Sequence, residues 1–328
     1  MRTIAIEEHF LSEGFREAMK RNPRRQAGTL AHAIPARVEE KLSDLDILRL
    51  RDMDAGDIDF QVISHGVADT GPLPVSDEIR LAQAANDQLA AAVAAHPDRF
   101  AGFATLPMAD PGAAANELER AVRSLRFKGA MINGTINGRF LDDPAFLPVL
   151  ERAVTLDVPI YIHPAPPPMT VWEAYYAGFD TAVSRSLATS GWGWHSEVGI
   201  HALRLIVSGV FERLPGLQII IGHMGEMIPF MLARIDDTLS NFTAANNLPR
   251  KVSEYFLQHF YITTSGFFTN PPLLLALQTV GADRIIFSVD YPYSSNERGR
   301  AFLDNAPISP VDKEKISHLN AERLLKLG

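Results

Sequence analysis

Eight short apolar runs, each of strand length and each followed by a stretch of helical spacing, constrain this chain more than any other feature. The runs are 3–8 (TIAIEE), 59–64 (DFQVIS), 101–106 (AGFATL), 129–134 (GAMING), 158–163 (VPIYIH), 217–222 (LQIIIG), 260–265 (FYITTS) and 284–289 (RIIFSV). Apolar residues at helical intervals fill 37–56, 76–96, 111–125, 143–156, 197–213, 226–245, 271–281 and 310–326. Strand then helix, repeated about eight times, predicts a parallel (β/α)8 barrel. Its 328 residues suit one such unit, and no Gly/Ser-rich linker or charge block divides them, so residues 1–328 are expected to form a single domain. A doubly wound sheet would want a glycine-rich phosphate turn after the first strand, and EEHF stands there instead. Irregular stretches at 22–36, 66–75 and 164–184 are where such barrels place substrate loops.

The ends of the predicted strands are chemically unlike their interiors. Strand one closes in Glu7-Glu8-His9, strand five in His163, strand six in His223 and strand eight in Asp290. Alternation puts Glu7 and His9 on one face and Glu8 on the other. All strand ends of a parallel barrel meet at one rim, so Glu7, His9, His163 and Asp290 are candidate ligands for one divalent metal ion, Zn2+ or Mn2+. A strand-end His is by itself more often a hydrogen-bonded core residue, and Asp290 before Tyr-Pro can simply open a turn. The four together, closing very apolar strands, carry the reading, because a buried carboxylate needs a partner charge.

His223 lies in IIIGHMGE with Glu226 three residues on. A carboxylate against one ring nitrogen fixes the tautomer, which suits a general acid/base, and His223 with Glu226 are candidate catalytic residues; alternatively Glu226 only favours a helix N-terminus, or His223 is a fifth ligand. Arg234, in PFMLARIDD, is a candidate grip for a substrate carboxylate, the alternative being a surface ion pair with Asp236 or Asp237. Trp192, Trp194, Tyr293 and Phe10 are candidates to line an aromatic pocket.

Composition excludes several classes. Cysteine is absent, which removes disulfides, thiolate metal sites and a cysteine nucleophile. The formal charge of −8, from 31 basic and 39 acidic side chains, argues against a nucleic-acid or anionic-membrane surface. No apolar run approaches the roughly 20 residues of a membrane span, and the chain opens directly on a strand, so a cytoplasmic enzyme is expected. No Gly-x-Ser-x-Gly or Walker-type loop occurs. Binuclear barrel hydrolases use His-x-His on strand one and a lysine ending strand four; here Glu7-x-His9 replaces the first and Lys128 precedes strand four, so one metal is expected.

IAIEEHF, HPDRFAGFATLP, FKGAMING, VPIYIHP, IIIGHMGEMIPFMLARID, FYITTSG and RIIFSVDYPY, in that order, resemble the decarboxylase branch of the amidohydrolase superfamily, which includes γ-resorcylate, 2,3-dihydroxybenzoate, 5-carboxyvanillate and aminocarboxymuconate semialdehyde decarboxylases. The resemblance implies a distorted TIM-like (β/α)8 barrel and non-oxidative loss of CO2 from a hydroxylated aromatic or related unsaturated acid. It also implies a homodimer or homotetramer, and no organic cofactor, because the ring itself becomes the electron sink. By the same resemblance Glu7, His9, His163 and Asp290 match metal ligands, Asp290 also the proton donor, His223 the active-site histidine and Arg234 the substrate-binding arginine. Two other readings stay open on the residues alone: a mononuclear hydrolase of a lactone or amide, and a non-catalytic metal-binding scaffold.

Overall fold

The computed structural model describes residues 1–22, 35–66, 73–243 and 248–327. Its strands, all parallel, are β1 (Ile4–Phe10), β2 (Phe60–His65), β3 (Phe100–Gly102), β4 (Ala104–Thr105), β5 (Ala130–Asn133), β6 (Ile160–His163), β7 (Ile219–Ile221), β8 (Phe260–Thr263) and β9 (Ile285–Ile286). Their order is β1-β2-β3 in one sheet and β4 to β9 in sequence in a second. The eight predicted strands are all present, the third as two pieces. It breaks at Phe103, whose N–H donates to Ile63 O (2.9 Å) while its ring packs in the inner core. This is a distorted barrel, closed by side chains where the backbone ladder lapses.

Strand alternation sorts the apolar residues into two layers. Ile4, Ile6, Val62, Met131, Ile220 and Ile286 fill the inside, with Leu325 of the last helix beneath them. Ala5, Ile63, Ile132, Ile162, Ile221 and Ile262 face outward against the helices in the larger cluster. Burying each such side chain contributes roughly 1.5–3 kcal/mol, which offsets the cost of the polar residues held above them.

β1 departs from simple alternation in a way that matters. Its pairing with β2 shifts register between Ala5 and Glu8. Ile4 and Ile6 face inward below the bulge, and Glu7 and His9 face inward above it, so one extra residue switches the strand from an apolar to a polar inner face. Phe10 falls with Ala5 on the outer side. It is buried in the outer core, with its ring 5.1 Å from that of His65. The expectation that Phe10 lines a substrate pocket is therefore corrected: its parity is opposite to that of His9.

Several helices differ from the sequence reading. The predicted helix over 37–56 is two, Ala36–Ser43 and Ile47–Ala55, because Asp44 turns the chain and takes the N–H groups of Asp46 (3.1 Å) and Arg49 (2.9 Å). Helices Glu13–Lys20, Val252–His259 and Asn296–Asn305 were not foreseen. The stretch 164–184 is not irregular throughout: it holds the turns Met169–Val171 and Trp172–Tyr176, and helix Thr181–Ala188 starts where Asp180 caps the Ala182 N–H at 2.9 Å. Of the other two loops, residues 23–34 and 67–72 lie outside the described residues. No described helix is long and apolar enough to cross a membrane.

Candidate active site

β1 delivers Glu7 and His9 to the inside of the rim, β6 delivers His163, and the segment after β9 delivers Asp290. One ligand atom from each lies within 4.8 Å of the other three. His163 Nε2 stands 3.4 Å from Glu7 Oε1, and His9 Nε2 stands 3.3 Å from Asp290 Oδ1. Ligand atoms bound at about 2.0–2.2 Å to a common ion sit within roughly 4.4 Å of each other, so the cluster needs only a small contraction to hold one.

The surroundings orient the ligands one oxygen or nitrogen at a time. Glu7 Oε2 accepts hydrogen bonds from Tyr161, Ser265 and Thr263, the last at 3.1 Å. Glu7 Oε1 is buried and has no hydrogen-bond partner among the described residues, and the same holds for His9 Nε2. The other nitrogen of His9, Nδ1, meets Ser64 Oγ at 3.2 Å, which fixes the ring. Two orphaned acceptors aimed at one point, with two imidazoles and two carboxylates around it, fit a single divalent ion such as Zn2+ or Mn2+.

The protonation states suit that fit. Burial lowers His9 to about 4 and His163 to about 3, so both rings are neutral donors at pH 7. Burial alone would raise Glu7, but His223, His163, His9 and the Ser265 hydroxyl outweigh it and hold Glu7 below its ordinary value. Burial and the Glu7 charge push Asp290 well up. The imidazoles of His223, His163 and His9 favour ionised Glu7, and burial beside that charge favours the proton on Asp290.

Beside this cluster stands a second one. His223 follows β7 and Gly222, and its Nε2 lies 3.8 Å from Glu7 Oε1. Its Nδ1 is 2.7 Å from Glu226 Oε1, and the other carboxylate oxygen, Oε2, takes His195 Nδ1 at 2.6 Å. Glu226 does not lie in a helical first turn. Residues 223–225 form a single 3-10 turn and the helix begins at Ile228. His223 (φ 51°), Glu226 (φ 53°) and Asp290 (φ 70°) all adopt left-handed backbone, a strain that side chains elsewhere must sustain. Burial opposes a charge on His223, but Glu226 and Glu7 outweigh it and raise the ring to about 10; burial opposes ionised Glu226, and His223 with His195 hold it at about 2.

The remaining candidates divide. Tyr293 is half-exposed at the rim, its ring 5.9 Å from that of His9. Trp194 is half-buried at the start of helix Gly193–Val207, next to His195, whereas Trp192 is exposed. Arg234 is exposed on helix Ile228–Thr243, and Asp236, its alternative partner, accepts the Ser253 N–H at 2.9 Å and the Ser253 hydroxyl. His65 is structural: its Nε2 accepts the Ser12 N–H at 3.1 Å, and Phe10 and Phe15 flank its ring.

Sequence reasoning missed His195, Tyr161 and Asn133. Tyr161 sits two residues before His163 on the same face of β6, and alternation could have found it. Asn133 ends β5 opposite His163 and its side-chain oxygen is unpartnered among the described residues, another strand-end signal. His195, in a GWGWHSE helix start, carries no such signal.

Residues 29–327 match the family Amidohydrolase. The chain is 38% identical to "Decarboxylase orsB" of Emericella nidulans, covering 99% of this chain and 97% of that protein. It is 36% identical to "Gamma-resorcylate decarboxylase" of Rhodococcus jostii, covering 99% and 98%. Among solved structures, the dihydroxybenzoic acid decarboxylase of Polaromonas, with bound manganese and the inhibitor 2-nitroresorcinol, is 36% identical with a TM-score of 0.88 over 99% of this chain and 97% of that one.

Proposed function

Because this chain belongs to the amidohydrolase family, and its full-length relatives include decarboxylases, we propose that it is a metal-dependent carboxy-lyase that removes CO2 from a hydroxylated aromatic acid. The observation that carries the reading is the pairing of two clusters: Glu7, His9, His163 and Asp290 around one point, and the His195–Glu226–His223 chain aimed at its edge. A divalent ion held by the first four supplies, when bound, Lewis acidity for an oxygen-rich substrate.

The chain's own residues supply the rest. His223, kept charged by Glu226, presents Nε2–H toward the site and stabilises negative charge on a phenolic oxygen. Asp290 takes up a proton on its carboxyl as the acid substrate binds. Burial and Glu7 favour that form and a cation opposes it, which balances the group as a proton donor must be balanced. Transfer of that proton to the ring carbon bearing the carboxylate forms a C–H bond. The bond to the carboxylate then breaks, its electron pair restores the aromatic ring, and CO2 leaves; solvent returns a proton to Asp290. Tyr293 and Trp194, half-covered at the rim, are assigned to substrate contact.

Association of like chains into a dimer or tetramer, which the family resemblance implies, is measured by light scattering of the eluted protein. Incubation of the Mn2+-loaded protein with ortho-hydroxybenzoates, including 2,6-dihydroxybenzoate and 5-carboxyvanillate, tests the activity. Stoichiometric CO2 and the decarboxylated phenol are expected. CO2 from none of them, with cleavage of a lactone panel instead, would overturn the assignment in favour of hydrolysis.

A further inference from the structure

β1 and β9 border the barrel's open seam, and no backbone ladder joins them. What joins them is the side chain of Glu8, the residue between two of the metal-ligand candidates and on the opposite face of the strand. Its carboxylate is fully buried. Oε1 accepts the N–H of Val289 at 2.9 Å and the Ser288 hydroxyl at 3.0 Å, and Oε2 accepts the N–H of Tyr291 at 3.2 Å. One carboxylate thus holds the peptide groups on both sides of Asp290.

Further bonds fix the clamp at its other end. The backbone N–H of Glu7 donates to Ser288 Oγ at 2.7 Å, and that of His9 donates to Tyr291 O at 2.7 Å. Gln61 Nε2 reaches Glu8 Oε2 at 3.4 Å, and Gln61 Oε1 accepts from Arg49 at 3.1 Å. Arg49, also fully buried, donates its remaining terminal nitrogen to the carbonyl of His9 at 2.5 Å. These bonds run to the backbone or the immediate neighbours of candidate ligands, and Arg49 Nε anchors the group to the carbonyl of Asp44 at 3.1 Å.

We propose that Glu8 is a positioning residue for the metal centre: it stands in for the missing β1–β9 ladder and holds Asp290, in its left-handed conformation, at ligating distance from His9. The assignment rests on the reading of Glu7, His9, His163 and Asp290 as ligands. A carboxylate is needed because it has two acceptor oxygens for two N–H groups that point at it from either side of Asp290. Glutamine has one, so one of these N–H groups would face an amide N–H.

The test is Mn2+ binding followed by the electron paramagnetic resonance of free Mn2+, which does not depend on turnover. Glu8→Gln is expected to weaken Mn2+ binding about 10- to 100-fold and to change the spectrum of the bound ion. Asn320→Ala removes the side chain that ties the other end of β9 through Ile285 O (2.8 Å); it is expected to lower Tm comparably while leaving Mn2+ affinity within about twofold of the parent. If Glu8→Gln does not fold, Ser288→Ala keeps the carboxylate and removes one link, with a smaller loss of affinity expected. Parent-like affinity and spectrum in the folded variants would overturn the clamp. Absence of stoichiometric Mn2+ binding by the parent protein would instead overturn the ligand assignment.

Discussion

At the scale of single residues, His195 occupies Glu226 Oε2 so that only Oε1 faces His223. His195→Phe keeps ring packing and removes the donor. We expect kcat to fall about 10- to 100-fold with KM changed far less, and His195→Gln to recover part of the loss because an amide can still donate. Equal losses in the two variants would show that ring packing is what matters. His195 was not legible in the sequence, because nothing in a helix start says that it will reach across to a carboxylate 31 residues away. Glu7, His9, His163 and Asp290 could be placed together because strands of one barrel end at one rim, and the structure brings their ligand atoms within 4.8 Å.

The same residues set the pH dependence of metal loading. His9 and His163, lowered to about 4 and about 3, are already neutral at pH 7 and have no proton to give up. Asp290, which burial and the Glu7 charge push well up, is the candidate ligand that has a proton to give up on ligating. Binding of Mn2+ at pH 7 should therefore release about one proton, with affinity falling close to tenfold per unit drop in pH. Titration calorimetry in two buffers of different ionisation enthalpy counts the protons. Release of two or more would mean that the imidazoles are charged in the metal-free protein.

At the scale of elements, the eight strands were legible because each is a continuous apolar run, and the long helices because each carries a periodic stripe. Short helices such as Glu13–Lys20 and Asn296–Asn305 have too few turns for a period to emerge. The β1 bulge was invisible for another reason: alternation assigns a parity but cannot show where the parity resets, whereas Phe10 lies beyond the bulge and plain alternation already sets it opposite His9. A close approach of elements is equally hidden. Gly222 ends β7 where a Cβ would meet Glu7 Oε2 at 2.9 Å and Tyr161 Oη at 3.2 Å. A methyl there pushes Glu7 out of its hydroxyl cage. Gly222→Ala should fold, with far-ultraviolet circular dichroism unchanged, yet lose Mn2+ affinity by about tenfold or more, as outer-shell changes do. Retained affinity would show that the cage yields without moving Glu7.

At the scale of the whole molecule, the candidate ligands straddle the discontinuity in the barrel. Glu7 and His9 belong to the sheet of three strands, His163 belongs to the sheet of six, and Asp290 follows the last strand of that sheet. A bound ion is then a cross-link between sheets as well as a reagent, and it lies at the seam where no backbone ladder runs. Ligand binding to the folded state alone stabilises by about 2.7 kcal/mol at a concentration 100 times Kd. Where that stabilisation appears depends on architecture. If the ion only filled a preformed pocket in a continuous barrel, chelation would lower Tm without redistributing local stability. Because the seam lacks a ladder, its opening needs few hydrogen bonds to break, and the metal-free protein should open there first. Chelation is therefore expected to speed amide hydrogen exchange in residues 6–10 and 288–291 more than in β5 to β8, whose ladders are complete on both sides. Hydrogen exchange followed by mass spectrometry, with and without Mn2+, separates the two cases: a uniform rise across all strands would mean that the ion stabilises the barrel globally and does not join its halves.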